Sequence, residues 1–165
     1  MKENLFSDLE GLRIAIEIEA RGRDFYQAAY NKVEKEEHKN AFMLLKNEEL
    51  HHLEKFTKIF NKIKENKEAD SAEYLFDQET SRYLTVLAED HIFPKSENAD
   101  AIINKLTTID EILRMAIQAE KDSIIFYDEL SLKAKFEDSR KIFTILKAEE
   151  QTHVVKLREM LHGWA

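Results

Sequence analysis

Apolar residues along this chain recur at three- and four-residue steps, the period of an α-helix with one buried face. In residues 9–35 the stripe runs Leu9, Leu12, Ile16, Ala20. In residues 40–63 it runs Phe42, Leu45, Leu53, Phe56, Phe60. Residues 109–135 show Ile109, Leu113, Ala116, Ile117, Ile124, and residues 139–161 show Ile142, Phe143, Leu146, Val154, Leu157, Leu161. These stripes predict four long amphipathic helices. At 1.5 Å per residue each spans about 36–44 Å, which suits an all-α four-helix bundle. Tight joints are expected around Lys35–His38 and Phe136–Asp138, and short joints make antiparallel neighbours. The stretch from Glu65 to Thr107 is too long for a plain loop in a compact domain. Its apolar residues Tyr74, Leu75, Phe76, Tyr83, Leu84 and Leu87 predict one short fifth helix, broken by Pro94 and the polar run Lys95–Asp100.

The two predicted hairpins are copies of one another. Residues 10–60 align without a gap on residues 111–161, with 17 identities in 51 positions at an offset of 101. Ser7 and Thr108 correspond too, each three residues before a glutamate, Glu10 or Glu111. That spacing is a capping box, which starts a helix. The chain therefore divides into a single domain, 1–165, with a first repeat at 7–65, a crossover at 66–107 and a second repeat at 108–164.

Most matched positions are apolar, as any duplicated bundle would keep. The matched charged residues on apolar faces are different. Glu19 sits among Ala15, Ile16, Ile18 and Phe25–Tyr26, and Glu120 among Ala116, Ile117, Ala119 and Phe126–Tyr127. Glu49 and His52 are three residues apart and share a helix face with Leu45 and Phe56, and Glu150 and His153 repeat the arrangement. Residues at that spacing are neighbours on a helix. A lone inward Glu is commonly an interhelical ion-pair partner, and a lone His on an apolar face is commonly a satisfied core histidine. Here they come as two equivalent triplets. Four carboxylates buried together need counter-charge, and two divalent cations would supply it. The set is the donor pattern of dimetal bundles, in which two helices give a Glu each and two give Glu-x-x-His. A metal-free ion-paired core is the alternative.

Composition narrows the chemistry. Three glycines and one proline are too few for an all-β fold with its frequent turns or for a Gly-rich phosphate loop. The absence of cysteine removes disulfides, thiolate zinc sites, iron–sulfur clusters and a Cys nucleophile. A formal charge of −8 argues against a nucleic-acid partner. No apolar run approaches the roughly 18 residues of a membrane span, and the polar start MKENLFSDLEG lacks a signal-peptide core. The expectation is a cytoplasmic protein with no membrane partner.

The segments AIEIEARGRDFY (15–26), LLKNEELHHL (44–53), AIQAEKDSIIFY (116–127) and ILKAEEQTHVV (145–155) resemble the rubrerythrin family of the ferritin-like superfamily. LTVLAEDHIFP (84–94) looks like that family's crossover. The resemblance implies a ferritin-like bundle with metal ligands Glu19, Glu49, His52, Glu120, Glu150 and His153. It implies that Tyr26 and Tyr127, seven residues after a ligand glutamate, are the family's catalytic-site tyrosines. They would hydrogen-bond ligand carboxylates and fix their geometry; packing with a satisfied hydroxyl is the alternative. Oxygen and imidazole donors suit iron, with manganese or zinc also compatible. The implied activity is reduction of hydrogen peroxide or dioxygen by a diiron oxidoreductase, with ferroxidase-like iron handling or a non-enzymatic metal-binding scaffold as alternatives. A homodimer is also implied. Two departures qualify the match. The chain has no cysteine for the family's rubredoxin domain, so a separate electron donor, such as a rubredoxin in trans, is required. The extra glutamate that peroxide-reducing members carry on the third helix has no counterpart, since Ile117 and Ser123 flank Glu120 by one turn and Asp122 points elsewhere. Glu17 and His51 are expected to be peripheral, and His38, His91 and His162 have no partners at ligand spacing. Trp164 is expected to cover an apolar patch or a dimer contact.

Overall fold

The computed structural model describes residues 4–89 and 92–164, so His91 lies outside the described residues. Those residues form α1 (Asp8–Lys32), α2 (Glu36–Lys64), α3 (Gln78–Glu89), α4 (Ala99–Lys105), α5 (Ile109–Lys133) and α6 (Glu137–Trp164). No strand occurs among the described residues. α1 pairs with α2 and α5 with α6, and the hairpins meet through α1 on α5 and α2 on α6. This is the four-helix bundle that the hydrophobic stripes predict. No helix among the described residues is long and apolar enough to cross a membrane.

Both repeats start alike. Ser7 Oγ accepts from Glu10 N and Thr108 Oγ1 from Glu111 N, each at 3.2 Å, which satisfies an otherwise orphaned amide of the first turn. The reciprocal half of the capping box is altered. Glu111 accepts from Thr107 N at 2.8 Å, one residue before the cap, and Glu10 turns to Arg13 instead. The joints fall at Val33–Lys35 and Ala134–Phe136, slightly earlier than the hydrophobic pattern suggests. Asp8 holds the second joint to the start of α1 by accepting from Lys135 N at 2.8 Å and Phe136 N at 2.9 Å. Gly11 permits the close α1–α5 crossing, since a Cβ there would lie 2.7 Å from Leu130 Cδ2.

The crossover holds two helices rather than one. α3 follows the apolar stripe and packs on α5. The run after Pro94, expected to be irregular, contains a 3₁₀ turn at Ser96–Asn98 that leads into α4, which packs on α1. Ile103 and Ala99 are the buried residues of α4, too few for a periodic signal. The segment before α1 is pinned to the crossover, with Phe6 N donating to Ser81 Oγ at 2.9 Å and Phe76 N to Phe6 O at 2.8 Å. His38 is a packed histidine, its ring 4.0 Å from that of Trp164. Trp164 thus covers a patch of its own chain and donates to Glu37 at 3.2 Å.

Candidate metal centre

Among the described residues the buried side chains are mostly apolar, and apart from Asp8 and His38 the buried carboxylates and imidazoles gather at one level. Phe25, Phe42, Phe56, Phe126 and Phe143 are fully buried around it. At that level Glu19, Glu49, His52, Glu120, Glu150 and His153 are all buried, none more than 4% exposed. α1 and α5 each deliver one glutamate, and α2 and α6 each deliver a Glu and a His one turn apart. The two triplets read from the repeat thus meet at one place.

Their donor atoms form two overlapping groups. Glu19, Glu49, His52 and Glu150 offer one set, and Glu49, Glu120, Glu150 and His153 offer the other, with the atoms of each set within 4.8 Å of one another. Glu49 and Glu150 belong to both sets, so they sit where bridging carboxylates would sit. Both oxygens of Glu49 and of Glu150, one each of Glu19 and Glu120, and the Nδ1 of both histidines are buried without a hydrogen-bond partner. Native interiors leave few such atoms orphaned. A convergent set of eight is explained by cations that take them as ligands, so the residues present fit a pair of metal ions.

The tyrosines support the opposite repeat. Tyr26 donates to Glu120 Oε1 and Tyr127 to Glu19 Oε1, both at 2.7 Å. Each hydroxyl therefore reaches across the bundle and not along its own helix, as seven-residue spacing would suggest. The histidines are held the same way. His52 Nε2 lies 2.8 Å from Glu149 Oε2, and His153 Nε2 lies 2.5 Å from Glu48 Oε2. The rings stack 5.4 Å apart, and their Nδ1 atoms face the carboxylates, with His52 Nδ1 2.7 Å from Glu150 and His153 Nδ1 3.3 Å from both Glu49 and Glu150. Lys55 and Lys156 pair with Glu149 and Glu48 at 3.4 and 3.1 Å. Glu48 and Glu149 are functional candidates that the sequence reading passed over. The signal was present, because both are repeat identities, but two adjacent glutamates on a helix point about 100° apart and only one faces inward.

Charge explains how this cluster survives without metal. Burial pushes Glu49 and Glu150 well above the usual carboxylate range, reinforced by the neighbouring negative charges. Burial would raise Glu120 and Glu19 too, but hydrogen bonds and the histidine charges hold both low, Glu120 at about 2. Burial opposes the histidine charge, yet the carboxylates of Glu150 and Glu19 close to its ring lift His52 to about 10, and His153 rises further for similar reasons. Without metal, burial thus favours the protonated form at Glu49 and Glu150, while Glu19 and Glu120 lie beside the two charged imidazoles. Burial and the nearby carboxylates also raise Tyr26 and Tyr127 well above the normal phenol value, which keeps both as donors.

The peripheral residues behave as expected where they are described. Glu17 pairs with Arg21 and Arg13 on the exposed side of α1. His51 and His162 are exposed. Gln118 donates to Asp122 away from the cluster at 2.9 Å.

Comparison with known proteins agrees with this arrangement. The Rubrerythrin family model matches residues 111–164, the second hairpin. No protein with a curated description matches the chain. A crystal structure from Thermotoga maritima, named as a candidate ferritin-like diiron-carboxylate protein, superposes with a TM-score of 0.70 at 29% identity, covering 99% of this chain and 100% of that one. A hypothetical protein from Pyrococcus furiosus superposes with a TM-score of 0.66 at 23% identity over 96% of this chain and 92% of that one. The second likeness speaks to the fold alone.

Proposed function

The chain carries a ferritin-like domain of the rubrerythrin type, and from that premise we propose that it is a diiron redox protein that reduces hydrogen peroxide or dioxygen with electrons from a separate donor. The observation that carries the reading is the pair of four-residue donor sets sharing Glu49 and Glu150. Glu19 and His52 would complete one metal position, and Glu120 and His153 the other. Four carboxylates balance two divalent cations, which makes the loaded interior neutral.

Glu19, Glu49, His52, Glu120, Glu150 and His153 would hold the metals, and a pair of irons bound there would supply two-electron reducing chemistry. The protein's own part is to hold and insulate. Tyr127 and Tyr26 each occupy one oxygen of Glu19 and Glu120, so those carboxylates are oriented with one free oxygen each. Glu149 and Glu48 orient the imidazoles so that Nδ1 faces inward, a role that such outer carboxylates serve in metal sites generally. Phe42, Phe56 and Phe143 line the surrounding interior and exclude water. These 165 residues hold no cysteine, so we place the electron donor outside them, and a rubredoxin or comparable redox protein fits. A homodimer accords with the same reading.

The test is anaerobic reconstitution with ferrous iron, followed by metal analysis and stopped-flow mixing with peroxide and, separately, with dioxygen. The reading expects about two irons per chain and repeated turnover when a reductant is present. Stoichiometric oxidation without turnover would convert it to iron handling. Failure to retain iron, with unchanged properties in His52→Ala and His153→Ala, would return the cluster to a metal-free ion-paired core.

A further inference from the structure

A groove of about 700 Å³ lies on the outer side of α1, between that helix and the crossover. Its walls are apolar at Ile14, Ile18, Leu75 and Ala88. Its two lining arginines are paired, Arg13 with Glu10 at 2.7 Å and Arg21 with Glu17, and Asp70 and Glu89 add negative charge. Among the described residues the groove thus offers apolar surface and no unpaired cation for an anion. At its floor stands Phe93, which is 1% exposed and also packs on Phe25 and Tyr26 with ring centroids 5.6 and 5.9 Å away.

Behind Phe93 the wall is thin. A Cβ placed on Gly22 would lie 3.0 Å from Phe93 Cε2 and 3.0 Å from Glu49 Oε2. One point in space therefore touches the groove's floor and a carboxylate shared by both donor sets, and the residue between them has no side chain. That carboxylate oxygen is buried and has no hydrogen-bond partner. The second repeat lacks this thin wall. The residue equivalent to Gly22 is Ser123, buried, with its hydroxyl donated to Ala119 O at 3.0 Å. Phe93, from the stretch between α3 and α4, packs on α1 at Phe25 and Tyr26, so it covers the first repeat's side only. The other depression near the cluster lies over His52 and His153. There two imidazole rings and the Lys55–Glu149 and Lys156–Glu48 pairs stand in the way.

We propose that the α1–crossover groove is the entry vestibule for a small uncharged oxidant, and that it opens onto the cluster past Phe93 over Gly22. Glycine at 22 is required because any side chain would close the passage at Glu49. Phe93 is a positioning residue that keeps bulk water from the cluster when no oxidant enters. This proposal rests on the dimetal reading above, and its test separates the two.

Each variant is first loaded with ferrous iron and its metal content measured. The rate of nitric oxide binding, a neutral probe of access, is then followed by stopped-flow absorbance. Phe93→Ala is expected to speed binding by about tenfold or more, Phe93→Leu to restore most of the native rate, and Ala88→Trp, which fills the groove, to slow it by about tenfold. Thr152→Ala, in the depression on the histidine side, is expected to leave the rate unchanged. An unchanged rate in Phe93→Ala with both irons present, or acceleration by Thr152→Ala instead, would overturn the vestibule while leaving the dimetal centre intact. Absence of iron from the unsubstituted protein would overturn both.

Discussion

Replacing Glu49 by Gln separates a metal centre from a structural ion-pair core, because the two give opposite signs. Both Glu49 oxygens are buried without hydrogen-bond partners, and the side chain is 1% exposed. Burial and the charges on Glu120, Glu150 and Glu19 raise its folded-state pKa well above 4.5. A carboxyl raised on folding adds stability only below its unfolded value and loses it as pH rises, so at pH 7 this residue opposes folding of the metal-free chain. Gln keeps the shape, makes permanent the neutral form that the carboxyl reaches only by taking up a proton on folding, and adds two donors near Glu19 and Glu120. Relieving one unsatisfied buried group is worth about 1–3 kcal/mol. For a chain of this size each kcal/mol moves Tm by about 2–4 °C, so the metal-free Glu49→Gln protein is expected to melt about 2–12 °C higher. With metal the order reverses. A ligand at a thousandfold excess over Kd adds about 4.1 kcal/mol, and Glu49→Gln forfeits it because Glu49 serves both donor sets. Differential scanning calorimetry with and without ferrous or manganous ion reads both effects. A metal-free Tm that falls by several degrees would overturn this account and make Glu49 an ordinary ion-pair partner.

Metal binding should release protons, because His52 and His153 are raised well above neutral in the metal-free cluster and must lose their protons to act as ligands, while burial favours the protonated form of Glu49 and Glu150 as well. Apparent affinity should therefore climb as pH rises from about 6.5 toward the His52 value of about 10, while the His52 contribution to metal-free stability, full below about 6.5, fades over the same window; calorimetric titration in buffers of differing ionisation heat checks it, and binding without proton release contradicts it. Tyr127→Phe removes the 2.7 Å bond to Glu19 and should lower metal-free stability by about 1.5–3 kcal/mol, the range for a hydrogen bond to a charged group, measured by urea unfolding. Glu149→Gln, which removes the charge beside His52 Nε2, should weaken metal binding by about 10- to 100-fold in a chelator competition assay. Gly11→Val should cost about 1–3 kcal/mol by driving a side chain into Leu130, whereas Gly163→Ala, whose Cβ meets nothing within 4 Å, should stabilise the helix end by about 0.5–1 kcal/mol; thermal melts of the pair decide it.

Much of this was legible in the chain before any fold was known. Helical period is a local property, so the four long stripes and the faces bearing Glu19, Glu49, His52 and their counterparts could be read directly. Duplication did the rest, since a charged triplet repeated on an apolar face stands out from ordinary core residues. Helix α4 escaped notice because seven residues with two buried side chains carry less than the window that periodicity needs.

Which helix lies opposite which face is not written in a period. That is why Tyr26 and Tyr127 could be placed near glutamates, yet only the packed bundle revealed that each serves the other repeat. The same holds for Glu48 with His153 and Glu149 with His52, contacts between residues about a hundred positions apart. Gly22 beside Phe93 is the clearest case. One is a glycine on a helix and the other an aromatic in the crossover, and nothing local links them. Their meeting at Glu49 arises only when the crossover folds over α1, and it breaks the symmetry that the repeated sequence would otherwise impose on the centre.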